Sequence, residues 1–160
     1  MAPSAPRQMI LTSVRLFVTA ATLAWASAGV AWAAGGFDLI TVDEAKRSQA
    51  YIEERGPLPG PQIKVIGGPT PKEPGKSPIA FTVRISPFGG AKIDWKTFTA
   101  TYMVIPRVNI TERILPFVDH DASEIVVKDA QVPPGKHQIL FSVKDSNGLF
   151  RNAAYTFTVD

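Results

Sequence analysis

Cysteine is absent from all 160 residues. That excludes a disulfide framework, thiolate metal sites, a cysteine nucleophile and a lipid-modified N-terminal cysteine. Histidine is nearly absent, with only His120 and His137, so one loop cannot assemble the multi-histidine constellation usual for zinc. No serine occupies the glycine-flanked elbow of a hydrolase. Glu53-Glu54 is followed by Arg55 and reads as surface charge rather than a catalytic pair. Cationic clusters are missing too: the formal charge is +3, but without Arg7 and Arg15 the 17 basic residues fall to 17 − 2 = 15, which nearly balance the 14 acidic ones. The lysines and arginines are dispersed, unlike a phosphate-binding stripe. These absences predict a protein that is not an enzyme, carries no cofactor and binds no nucleic acid.

What is present begins with an address. Arg7 and Arg15 supply a positive n-region, and no charge occurs from Leu16 to Gly36. Leu16-Phe17-Val18 opens an apolar core, and Ala31-Trp32-Ala33 fits the A-x-A pattern that precedes cleavage. Met1 to Ala33 therefore reads as a secretory signal peptide, and the protein as periplasmic or extracellular. The alternative is an uncleaved anchor, since the uncharged run approaches the roughly 20 residues that a bilayer requires. Membrane contact is expected only through that segment, and in both cases the body lies outside the cytoplasm.

Residues 34–61 read as a short helix and a stiff linker. Thr41 can cap, with Glu44 three residues on in a capping box and Ile40 and Ala45 as a hydrophobic staple. The helix is predicted from Val42 to about Glu54, ending where Gly56-Pro57 begins a Pro/Gly-rich linker. Its apolar stripe is thin.

From Gln62 to Asp160 every segment reads as strand or turn. Ile63 and Val65 mark one strand; Ile79, Phe81, Val83 and Ile85 alternate with polar or small neighbours in the next. Phe98, Ala100, Tyr102 and Val104 alternate before Pro106, and Ile125 and Val127 mark a later strand. Residues 109–118 fit either a short edge strand or a helical turn. The best-defined stretch closes the chain, where Ile139, Phe141 and Val143 face Tyr155, Phe157 and Val159 across the turn Asp145-Ser146-Asn147-Gly148. About seven strands with turns every 8–12 residues predict an all-β, antiparallel sandwich. Trp95 is the expected large core residue, and His137 starts its strand on the core-facing parity.

Pro133-Pro134-Gly135-Lys136-His137, then Val143-Lys144-Asp145-Ser146-Asn147-Gly148, then Tyr155-Thr156-Phe157-Thr158-Val159 resembles bacterial immunoglobulin-like or cadherin-like repeat domains. The likeness covers the closing hairpin well and the preceding strands only as rhythm. It implies an immunoglobulin-like module that binds or spaces, usually without catalysis, although this chain has a single copy.

Two sets of residues are candidate sites. Phe88 in a loop, with Met103, Ile105, Val126 and Leu140 on the wet parity of their strands, would form a binding patch if they gather; the competing expectation is that the N-terminal helix covers them through Val42 and Ile52. Asp119, His120 and Asp121 form the one dense group of potential metal ligands, and Asp145 with Asn147 offers oxygens to calcium, although turn chemistry explains each of them. Asn109-Ile110-Thr111 matches a glycosylation acceptor. The expected function is an exported, non-catalytic module that binds or scaffolds an envelope or extracellular protein or a glycan. The alternatives are a periplasmic metal-handling protein and an accessory subunit of an exported enzyme.

Overall fold

The computed structural model describes residues 36–53 and 59–160. The expected signal peptide, its cleavage site, and Glu54 through Leu58 lie outside the described residues. In chain order the elements are β1 (Phe37–Asp38), α1 (Val42–Ala45), β2 (Ser48–Gln49), β3 (Gln62–Ile66), β4 (Ile79–Ser86) and β5 (Ile93–Tyr102). There follow β6 (Val104–Ile105), β7 (Val108–Asn109), α2 (Thr111–Ile114), a 3-10 turn (Leu115–Phe117), β8 (Val118–Asp119), β9 (Glu124–Gln131), β10 (Gly135–Asp145) and β11 (Phe150–Val159). The protein is mostly β.

One sheet runs β3–β4–β9, with β1 and β8 sharing the far edge of β9 at its two ends. The other runs β11–β10–β5–β7, and β2 and β6 form a small third sheet. The two large sheets share one core: the Phe81 ring of the first lies 6.5 Å from Phe141 and 5.2 Å from Tyr155 of the second. Alternation explains this directly. Ile79, Phe81, Val83 and Ile85 are buried while Ala80, Arg84 and Ser86 are exposed, the period-two pattern of a strand with one wet face. In the closing hairpin Ile139 pairs with Tyr155 and His137 with Phe157, all buried.

Four expectations need correction. The helix predicted over Val42 to about Glu54 stops after one turn at Ala45. Its start is as read: Glu44 N donates to Thr41 Oγ1 at 3.3 Å and Thr41 N to Glu44 Oε2 at 2.9 Å. Beyond Ala45 a thin apolar stripe gives a helix little to bury, whereas extended backbone earns ladder bonds from β2 to β6.

The third strand begins earlier than expected, at Ile93, and ends at Tyr102 rather than Val104. Met103 N donates to Gln138 O while Met103 O accepts from Ala50 N. The chain thus turns from one ladder to another at this residue, and Tyr102, Met103 and Val104 are buried in succession. Parity fails where the strand changes partners.

Not every pair is antiparallel, because β1 lies parallel to β9. Trp95 is only half-buried, at the rim of the core, with its ring 6.1 Å from that of Phe98.

Candidate loop-end site

Register fixes which loops share an end. Arg84 pairs with Glu124, Ile93 with Asp145, and Lys144 with Phe150. Residues 87–92, 119–123 and 146–149 therefore emerge together, from both sheets, at one end of the body. Polar bonds tie them: Ser146 N donates to Lys92 O at 2.8 Å, Lys92 N to Ser146 Oγ at 3.1 Å, and Ile85 N to Ser123 O at 2.9 Å. Two aromatic rings of this end face water, Phe88 at 46% exposure and Phe150 at 50%. The rings of His120 and Trp95 stand nearly perpendicular, with centroids 5.3 Å apart.

The candidate metal ligands reach this end but serve the turns. Asp119 Oδ1 accepts from Asp121 N at 3.0 Å and Ala122 N at 2.9 Å, so it caps its own loop. Asp121 is exposed, and His120 is taken up by Trp95. Asp145 is buried, and its Oδ1 accepts from Asn147 N at 3.0 Å and Leu149 N at 2.9 Å. This is the side chain-to-backbone turn that aspartate favours, with Gly148 at φ +77° completing it. Asp145 Oδ2 is buried without a hydrogen-bond partner. Among the described residues no three histidine or acidic side chains converge as a metal would need.

The five patch residues do not gather. Phe88 belongs to the loop end, whereas Ile105, 63% exposed, lies beside Ser48 where β5 finishes. Val126 and Leu140 are half-buried on outward positions of different sheets, facing away from each other. Met103 is wholly buried and is a core residue, for the reason given above. The expected helical cover is replaced by an extended arm. Val42 is 55% exposed, while Ile52 N donates to Gln138 Oε1 at 2.8 Å and Gln138 Nε2 returns a bond to Ile52 O at 3.0 Å.

Two polar groups that no motif announced hold this arm. The Arg113 guanidinium grips the Glu44 carboxylate with both nitrogens, at 2.7 and 2.8 Å, and also donates to Leu39 O at 2.9 Å. That fork is the main cause holding the Glu44 carboxyl at about 2 against its burial, with the Thr41 bonds assisting. The second group is a chain through the core. Gln49 Nε2 donates to Tyr102 Oη at 3.1 Å, Tyr102 Oη lies 2.9 Å from His137 Nδ1, and His137 Nε2 lies 2.9 Å from Pro133 O. Burial pushes the Tyr102 hydroxyl up and the His137 imidazole down, the Pro133 carbonyl opposing the latter. The core-facing parity of His137 was the one sequence signal for this chain.

The sequon residues are also engaged: Asn109 Oδ1 accepts from Thr111 N at 2.9 Å, and Thr111 Oγ1 takes the Ala100 N–H at 2.9 Å. Among the described residues no helix is long and apolar enough to cross a membrane. Comparison of the chain with protein families, with curated proteins and with solved structures gave no match.

Proposed function

We propose that this chain is an exported, non-catalytic, immunoglobulin-like module that binds an envelope protein or glycan through its loop end. The strand order supports the fold reading. With β3, β4, β8 and β9 taken as strands A, B, D and E, and β5, β10 and β11 as C, F and G, the neighbours follow the ABED and CFG sheets of an immunoglobulin domain. The leader-like N-terminus supports export. The observation that carries the binding reading is the exposure of Phe88, in a loop, and of Phe150, at the start of β11, at the one end to which both sheets contribute their turns. Rings held by a short loop and by a strand end present apolar area at small entropic cost, and they suit the faces of sugar rings or apolar side chains.

The test uses mature chain mixed with purified cell-wall glycan and with solubilised envelope proteins. One of these should retain it, and Phe88→Ala with Phe150→Ala should weaken retention by about tenfold or more, as loss of aromatic anchors does. Thermal unfolding should be nearly unchanged, because both rings are exposed. Retention that ignores both rings would remove the loop end from consideration.

A further inference from the structure

We propose that the Gln49–Tyr102–His137–Pro133 chain is a proton-reversible latch, through which mild acid loosens the N-terminal arm. The geometry gives every proton a direction at neutral pH. The Pro133 carbonyl can only accept, so His137 Nε2 carries the hydrogen and Nδ1 is the bare acceptor. Tyr102 then donates to Nδ1, and its oxygen is free to accept from Gln49 Nε2. Three bonds run one way, from β2 in the arm into the core.

A proton taken from solvent by His137 Nδ1 breaks that direction. Nδ1–H and Gln49 Nε2–H would then both point at the Tyr102 oxygen, and the tyrosine proton would need a new acceptor. The chain contains one: Gln49 Oε1 is buried without a hydrogen-bond partner. Turning the Gln49 amide presents Oε1 to the tyrosine; the two bonds at the Tyr102 oxygen reverse, while the bond from His137 Nε2 to the Pro133 carbonyl keeps its direction. The turn carries Nε2 to the buried position Oε1 has left, where Oε1 itself found no partner; an orphaned buried N–H is tolerated less well than an orphaned oxygen, so the hook on β2 weakens.

The surroundings do not compensate the charge. From β11 the Phe157 ring faces the imidazole, with centroids 5.5 Å apart, and from β5 Tyr102 does. On the same strand Lys136 points to the Tyr51 ring, 4.6 Å from its centroid. In the arm Tyr51 and Glu44 are the ionisable groups felt at Tyr102, and the Glu44 carboxylate is already in the Arg113 fork. No free carboxylate faces His137 among the described residues.

Because burial pushes His137 below the ordinary histidine value, hydrogen exchange on the mature chain tests the latch at about pH 7.5 and about pH 4.5, the lower point lying well under that value. After correction for intrinsic rates, the amides of Ala50 and Ile52 should open about five- to tenfold more often in acid, the scale of one weakened hydrogen bond. Amides in the middle of β4 and β10 should change less. Gln49→Met, at a half-buried site outside the core, should open the arm already at neutral pH and abolish its extra response. Nitrogen NMR of His137 should show the Nε2–H tautomer at neutral pH. The proposal is overturned if arm and core amides respond alike, if Gln49→Met keeps the arm's acid response, or if the neutral ring carries its hydrogen on Nδ1.

Discussion

Arg113→Ala should lower stability at neutral pH by about 3 kcal/mol, the scale for removing one partner of a largely buried ion pair. The substitution leaves the Glu44 carboxylate, 8% exposed, facing the vacated fork, and it frees the Leu39 carbonyl. The acid limb identifies the cause. Glu44 is lowered from 4.5 to about 2 in the folded chain. Its contribution is therefore complete above the unfolded value and is lost as pH falls from about 4.5 toward 2, by about 3 kcal/mol from the linkage relation. Without Arg113 the carboxyl loses the main cause that lowers it, burial and the Thr41 bonds then opposing each other, so it should titrate much nearer its ordinary value and acid should cost the variant much less. Urea unfolding at about pH 7 and about pH 3 should show the gap between the two proteins narrowing. A gap that stayed constant would mean that Arg113 acts through packing, not through the charge of Glu44. Arg113→Lys keeps the charge but not the fork, and should fall between them.

That ion pair shows what a sequence conceals. Thr41 and Glu44 lie three apart, so the capping box was legible as a local pattern. Arg113 is 69 positions from Glu44, and no periodicity relates the two. The same distinction governs the strands. Ile79 to Ile85 and Ile139 to Val143 bury alternate residues because each stays in one sheet. Met103 breaks the rule because its amide and carbonyl serve different partner segments, Gln138 and Ala50. Capping and a sparse stripe predict a helix over residues 46–53; distant backbone and side-chain groups on β6, Tyr102 and Gln138 decide otherwise.

The candidate site was legible only in pieces. Phe88, the Asp119–Asp121 turn and the Asp145–Gly148 turn each carried a local signal, but their meeting at one end follows from strand register. Wet parity alone grouped Val126 with Leu140, although a sandwich has two outer faces and parity does not say which. Phe150 carries no such signal, because it opens β11 beside the turn, outside the alternating run that begins at Ala154.

The facing of the sheets makes the other large prediction. Phe141 is fully buried on β10, with Ala100 of β5 and Ala153 of β11 as its lateral neighbours. Small side chains on both sides make room for one large ring, which meets Phe98 at 6.3 Å and, across the core, Phe81 at 6.5 Å. Phe141→Ala should therefore leave a cavity that neither alanine can fill, and cost about 3–5 kcal/mol in denaturant unfolding. Leu140→Ala removes a half-buried side chain on the opposite face of the same strand, beside Thr101 and Ala154, and should cost about 1 kcal/mol or less. The contrast between adjacent residues isolates the facing from any general weakness of β10. Phe141→Leu, which refills part of the space, should recover more than half of the loss. If Leu140 proved as costly as Phe141, the outer face of this sheet would have to be covered.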